Sequence, residues 1–416
     1  MTGAAGDRSP DSTLAFLLRG YEFVSGECAR LGSDVFQTRV LGRRTVCMRG
    51  AEAGRVFYDS DRFERAGAVP ARVQKTLLGV GGVQGLDGEA HRHRKALFMS
   101  LMSPGAVTRL GDLVVELWRG RLEDWGRADR VVLYDEVGEV LCHAVHVWAG
   151  VPIVPSQVRG RTEDLRAMIA ATPAVGPSHW RGRSARRRAE SGLATLVERV
   201  RAGTSAASEG SALQAVAAHR DTAGRLLDAR VAAVELLNLL RPTVAVDRFI
   251  TFAALALHAH PDWRRRLRDG HGREVELFVQ EVRRFYPFFP MQPARVRTAF
   301  DWQGVHFPVG RRVLLDLYGT NHHPQLWEEP DRFHPDRFRG WDGGAYDFVP
   351  QGGGDYHTGH RCAGEWITIE LMKRAVTILT GEMDYDVPDQ DLRVSLRRMP
   401  TLPASRVIIA NVRRTT

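Results

Sequence analysis

Apolar positions along this chain recur with the helical period over most of its length and alternate only in short stretches towards either end. Residues 13–31 read as an amphipathic helix, and residues 35–49 alternate around a Gly42-Arg43-Arg44 turn, as a hairpin does. From about residue 88 to 260 the helical pattern returns with short breaks. It predicts helices at Leu110–Trp125, Tyr134–Ala149, Arg161–Ala171, Ala185–Ala202 and Ser211–His219. The longest run, Asp228 to His258, reads as one helix ended by Pro261, and a further helix at Val275–Phe285 stops before Pro287. Residues 294–318 read as strands, with a hairpin at Gln303-Gly304 and an apolar run over Val313–Leu317. After Pro350 come a glycine-rich loop, a helix from about Ala363 to Leu379, and strand-like closing pieces. No repeat or long linker divides the chain. The expected fold class is mainly α with a minor β region: one domain over residues 13–416 behind a loose polar tail at 1–12.

Composition narrows the class. No run of about 18 apolar residues occurs, and the opening residues lack the basic-then-apolar order of a secretory signal. The expectation is a cytoplasmic protein without stable membrane insertion. The formal charge is +9, yet only Lys75, Lys95 and Lys373 among the 58 basic residues are lysines. The densest basic cluster, Arg181, Arg183, Arg186, Arg187 and Arg188 after His179 and Trp180, reads as a solvated helix face rather than a nucleic-acid footprint. A basic surface is compatible with anionic substrates. The four cysteines form no CxxC pair and no zinc spacing, so neither a disulfide framework nor a structural zinc site is expected. Cys28, Cys47 and Cys142 lie in apolar contexts and read as small buried hydrophobes.

Cys362 differs. It lies in FVPQGGGDYHTGHRCAGEW, from Phe348 to Trp366. Glycines 352, 353, 354 and 359 permit tight turns. His360 and Arg361 set polar or basic groups before the sulfur, and Gly364 leaves room for a flat partner beside the next helix. The sulfur then sits at a helix N-terminus, where free N–H groups and the dipole favour a thiolate. A thiolate under a haem iron pushes electron density onto it and favours O–O cleavage. The competing use of a glycine loop, phosphate binding, needs a strand–loop–helix unit ending in Gly-Lys-Ser/Thr, and none is present. Upstream, Glu281 and Arg284 stand one helical turn apart, and Phe333-His-Pro-Asp-Arg-Phe338 forms a turn containing proline and arginine.

In this order the three motifs resemble the cytochrome P-450 superfamily over nearly the whole chain. The resemblance implies a triangular helical prism with a small β region and haem b ligated by the Cys362 thiolate. It also implies a buried network of Glu281, Arg284 and Arg337. His91 and Lys95, i,i+4 after Asp87-Gly88, are candidate partners of the haem propionates, with Arg65 and His360 behind them.

Most relatives carry an acid followed by threonine in the long central helix, which deliver protons to iron-bound oxygen. Here the pair is replaced by Arg241-Pro242. A proline inside a helix costs about 3 kcal/mol or more and kinks it. A buried arginine needs an anion: a protein carboxylate such as Glu235 or Asp247 or, above a haem, a substrate carboxylate held by the guanidinium fork.

The combination resembles the fatty-acid peroxygenase branch, as do Gln74–Gly79, Val83–Gly88 with His91, and Glu281–Pro290. Within the branch the likeness is greatest to the α-hydroxylases, because decarboxylating relatives have histidine where this chain has Gln84. Arg241, Pro242 and Gln84 are thereby candidate catalytic residues, and Leu78, Phe288 and Ala245, with Arg241, candidate substrate contacts. The loop departs from the branch at Asp355-Tyr356-His357-Thr358, where the histidine more often precedes the tyrosine, and Ala363 replaces a common proline. Altered contacts beneath the haem are expected, with ligation kept.

The implied reaction is hydroxylation of long-chain fatty acids by hydrogen peroxide without a redox partner. The substrate carboxylate on Arg241 supplies the missing acid–base group. The alternatives are an O2-dependent monooxygenase fed by a redox partner and a non-catalytic haem or fatty-acid binding protein.

Overall fold

Helices dominate because the apolar stripes are long, and some are capped by side chains. Ser103, Ser211 and Asp228 accept from backbone N–H groups at the starts of Pro104–Arg127, Ala212–Ala218 and Ala229–Val244. The computed structural model describes residues 10–172, 176–270 and 272–415. The expected tail lies outside these residues up to residue 9. Pro10 to Ser12 are tied to strand Val35–Val40, where Arg39 donates to the Pro10 carbonyl at 3.0 Å and Ser12 donates to that of Arg39 at 2.9 Å.

The main core surrounds the Ala229–Val244 helix. Leu236, Leu237, Leu240 and Val244 pack there with Val137 and Leu141 of the Leu133–Ala149 helix and with Leu371 and Met372 of Glu365–Thr377. Burying each such side chain contributes roughly 1.5–3 kcal/mol. Beside the helical mass lies a five-stranded sheet in the order Val35–Val40, Arg43–Met48, Arg312–Asp316, Met291–Val296 and Phe63–Glu64. Only the second and third strands run parallel. The expected hairpins at 35–49 and around Gln303-Gly304 both form.

Two expectations are corrected. The run from Asp228 to His258 is two helices, Ala229–Val244 and Asp247–Ala259, broken at Ala245-Val246. Pro242 does not stop the first helix at once. It withholds one N–H, and the chain turns two residues later, where the Val246 N–H reaches back only to Thr243. The arginine cluster is not wholly a solvated face. Within Pro177–Arg201, Arg181, Arg187 and Arg188 are exposed but Arg186 is 1% exposed and points into the core.

Candidate active site

The cysteine loop is folded by glycine. Gly352 and Gly354 have φ of 93° and 80°, and a Cβ on Gly352 would lie 2.8 Å from the Gln292 amide. The Gly353 N–H donates to the Tyr58 hydroxyl at 2.8 Å, which pins the loop to the sheet side of the molecule. Cys362 follows, its N–H bonded to the Gln351 carbonyl at 3.2 Å. A Cβ on Gly364 would still be 3.9 Å from Sγ, so that side of the sulfur is open. Burial pushes the thiol pKa up, opposed by the Gly364 N–H and by the charges of Lys95 and Arg283. A metal cation bound to the sulfur would offset that burial. Cys28, Cys47 and Cys142 are buried, with thiols pushed up to about 12 or, for Cys142, about 11, and for Cys47 beyond that range.

In the departing tetrad, Asp355 accepts from the Thr358 N–H at 2.5 Å and its hydroxyl at 2.7 Å, so the turn locks itself. Tyr356 donates to the Ala363 carbonyl at 2.7 Å, next to the sulfur. His357 is exposed.

Four basic side chains gather near this loop. His91 and Lys95 are buried on the Gly88–Ser100 helix, and the rings of His91 and His360 stack at 3.8 Å. Lys95 Nζ donates to the Arg361 carbonyl. Arg65, 8% exposed, lies over the Phe57 ring at 4.1 Å. The nearby carboxylate is Asp87, which the N–H groups of Arg65 and Ala66 engage at 2.8 Å each. Burial and mutual repulsion pull His91 down to about 3, burial pulls Arg65 down to about 10, and burial lowers Lys95 against the charges of Cys362, Asp355 and Glu365. Such a set is under-neutralised and fits a flat group bearing two carboxylates beside an open sulfur.

Behind the loop the ion pairs are closed. Glu281, on the Arg273–Phe285 helix, takes Arg284 Nε and Nη2 at 2.8 Å each, Arg337 Nε at 3.3 Å and the His334 N–H at 2.7 Å. Arg283 and Arg361 share Glu365, at 2.5 and 2.6 Å, tying this helix to the start of Glu365–Thr377. The sequence reading did not single out Arg283 or Glu365.

On the other side of the core, Glu235, Asn238 and Arg241 form a polar ladder on one face of Ala229–Val244 at i,i+3 spacing. Arg94 Nη1 donates to Glu235 at 2.6 Å. Asn238 donates to Glu235 at 3.0 Å and to Gln84 at 3.1 Å. Arg241 donates to the Leu77 carbonyl and, at 3.4 Å, to Asn238. Asp247 is taken by Arg166 at 2.8 Å and Arg248 at 3.4 Å. Both acids considered for Arg241 are thus committed elsewhere, and among the described residues no carboxylate pairs with it. Arg241 is 4% exposed, and burial with the Arg186 charge pulls its pKa down to about 9. Arg186, which the sequence reading left on the surface, shares the Leu77 carbonyl at 2.5 Å and pairs with Glu190 at 2.6 Å. Gln74–Leu78 is a π-helical turn that delivers this carbonyl and Leu78 together. Phe288 stacks on Phe249 at 4.1 Å, and Ala245 lies at the helix break.

The cytochrome P-450 family model matches residues 275–403, the stretch holding Glu281, Arg284, Arg337 and Cys362. A variant of Cytochrome P450SP alpha (CYP152B1) is 48% identical, with a TM-score of 0.96 over 98% of this chain and 100% of that one. Cytochrome P450EX alpha (CYP152N1), solved with myristic acid, is 44% identical, with a TM-score of 0.95 over 98% and 99%. A variant of the cytochrome P-450 OleT in complex with arachidonic acid is 37% identical, with a TM-score of 0.95 over 99% and 98%. The chain belongs to the cytochrome P-450 family. It is a haem-thiolate enzyme of the fatty-acid peroxygenase branch. As a cytochrome P-450 it carries two dissimilar sets of buried charges, an ion-pair network beside the cysteine loop and, on Ala229–Val244, a guanidinium that no carboxylate meets among the described residues. No helix among the described residues is long and apolar enough to cross a membrane.

Proposed function

We propose that this enzyme hydroxylates long-chain fatty acids mainly at the α-carbon, using hydrogen peroxide and no redox partner, with Arg241 holding the substrate carboxylate. The observation that carries this reading is the buried Arg241 guanidinium with no carboxylate on it. A cation in that state gains most from an anion offering two oxygens to its fork.

Haem ligated by Cys362 supplies the O–O cleavage chemistry, and His91, Lys95, Arg65 and His360 would meet its propionates. The remaining tasks belong to the chain. Arg241 fixes the carboxylate, so the carbon next to it is the one presented for reaction. The carboxylate, within reach of peroxide, takes a proton from one oxygen and returns it to the other. The usual acid–threonine pair is then dispensable. Pro242 supports the arrangement by ending the helix soon after Arg241, and Ala245 at that break offers only a methyl group. Leu78 and Phe288 form apolar walls that exclude water. Gln84, held by Asn238, lacks a titratable ring, which favours hydroxylation over alkene release.

The test is to incubate haem-loaded protein with myristic acid and hydrogen peroxide, without reductant, and identify products by mass spectrometry. The expected product is mainly 2-hydroxymyristic acid. Turnover only with a reductase and O2 would favour the monooxygenase reading, and binding without product a carrier.

A further inference from the structure

A second cationic site lies in the sheet, lined by none of the residues proposed for haem or fatty acid. A cleft of about 450 Å³ opens between the Arg43-Arg44 turn, Arg295 and the loop ending in Arg311 and Arg312. The parallel pairing of the second and third strands sets Thr45 opposite Arg312 and so brings the turn beside that loop.

One of the five arginines is fixed in place, and a second packs against glycines. Arg312 is 8% exposed, with Nε and Nη2 on the Thr45 hydroxyl at 3.0 and 2.7 Å and Nη2 also on the Val40 carbonyl at 2.5 Å. Arg295 lies against Gly67 and Gly310. A Cβ on the first would stand 2.9 Å from Nη1 and on the second 3.5 Å from Nη2. Arg43, Arg44 and Arg311 complete the lining without a side-chain partner among the described residues. Among the described residues, the one carboxylate within ion-pair range of any of the five is Glu64, 3.9 Å from Arg295. Casual surface arginines would spread into solvent. Here one buried guanidinium is held at its place by a threonine and a carbonyl, and four more arginines, Arg43 and Arg44 exposed, line the same cleft of about 450 Å³.

We propose that this cleft binds a phosphate-bearing anion. Several guanidinium groups around one cleft suit the tetrahedrally disposed oxygens of phosphate better than one planar carboxylate. The phosphate could belong to a free diphosphate-bearing solute or to a lipid headgroup, since Leu41 and Val309 stand exposed, 55% and 67%, beside the turn and in the lining loop.

The experiment uses haem-loaded enzyme and the double variant Arg43→Ala/Arg311→Ala, which alters only incompletely buried positions. Calorimetric titration with sodium pyrophosphate, against sodium chloride of equal ionic strength, reports the free anion. Co-sedimentation with phosphatidylglycerol-containing vesicles, against pure phosphatidylcholine, reports the headgroup. Saturable pyrophosphate binding that weakens about a hundredfold in the double variant supports the free-anion source. Sedimentation dependent on phosphatidylglycerol and lost in the double variant supports the lipid source. Neither signal above its control, or signals that the double variant leaves unchanged, would overturn the proposal. Myristic acid turnover should be unchanged in the double variant, so this result stands apart from the fate of the proposed hydroxylation.

Discussion

Arg284 and Arg241 are both buried inside helices, and they differ in almost everything else. Arg284 uses all three of its nitrogens: two on Glu281, with further bonds to the carbonyls of Asn321, Pro330 and Arg332. Arg241 has one carbonyl and one distant amide oxygen. The first is a completed network, in which the guanidinium meets a carboxylate and every nitrogen donates. The second keeps donors and a full charge in reserve. A completed network holds a fold together, whereas an incomplete one has free energy left to give to a ligand.

The sharpest way to break this comparison is Arg241→Met. It should keep the haem spectrum but lower peroxide-driven kcat/KM on fatty acid by about 10²–10⁴-fold, the range that acid–base positioning supplies. Its fold should become more stable by about 1–4 kcal/mol, because an apolar side chain replaces an unpaired buried cation. Urea denaturation measures this second effect, and a variant both inactive and less stable would contradict it. Arg284→Ala should do the reverse. With Glu281 left buried beside the weaker Arg337 contact and the His334 N–H, stability should drop by about 3–5 kcal/mol, read as a lower urea midpoint together with poor haem loading.

Arg186→Gln sharpens the distal half. Arg186 touches the same Leu77 carbonyl as Arg241, so it is a positioning residue. Its loss should loosen the Gln74–Leu78 turn and raise KM for fatty acid about tenfold while kcat holds. Arg186→Lys should restore part of the affinity. A fall in kcat at constant KM would place Arg186 in the chemistry instead.

Legibility in the sequence followed the same division. Helix periodicity and the 35–49 hairpin were readable because local propensity and burial agree there. The Glu281/Arg284 spacing was readable because both partners sit on one turn. Arg241-Pro242 was conspicuous as a charge and a helix breaker amid leucines. Arg186 was hidden: five arginines in eight residues look solvated, and only the packing of that helix against Gln74–Leu78 decides which one turns inward. Glu365 was equally unreadable, since its partners are Arg361, one turn away, and Arg283, 82 residues distant. The break at Ala245-Val246 was missed because Pro242 drew the expected distortion onto itself.

Asp316 tests the same logic with the sign reversed and a smaller effect. It is a buried carboxyl whose Oδ1 accepts from the Gly319 N–H at 2.7 Å, with no cation paired to it among the described residues. Burial pushes its pKa up to about 7, against the Gly319 bond and the charge of Arg49. Between its ordinary value near 3.8 and about 7, the folded chain keeps a proton that the unfolded chain releases. Stability from this group is therefore fully present below about pH 4, falls as pH rises through the window, and levels off above pH 7. Asp316→Asn keeps an acceptor for Gly319 but cannot ionise. The variant should gain roughly 1 kcal/mol or more relative to the native chain between pH 5 and pH 8. Urea midpoints at the two pH values measure it. If the native chain and the variant lost stability in parallel over that interval, the unpaired carboxylate would carry no cost, and the case for an unpaired Arg241 as a reserve of binding free energy would weaken with it.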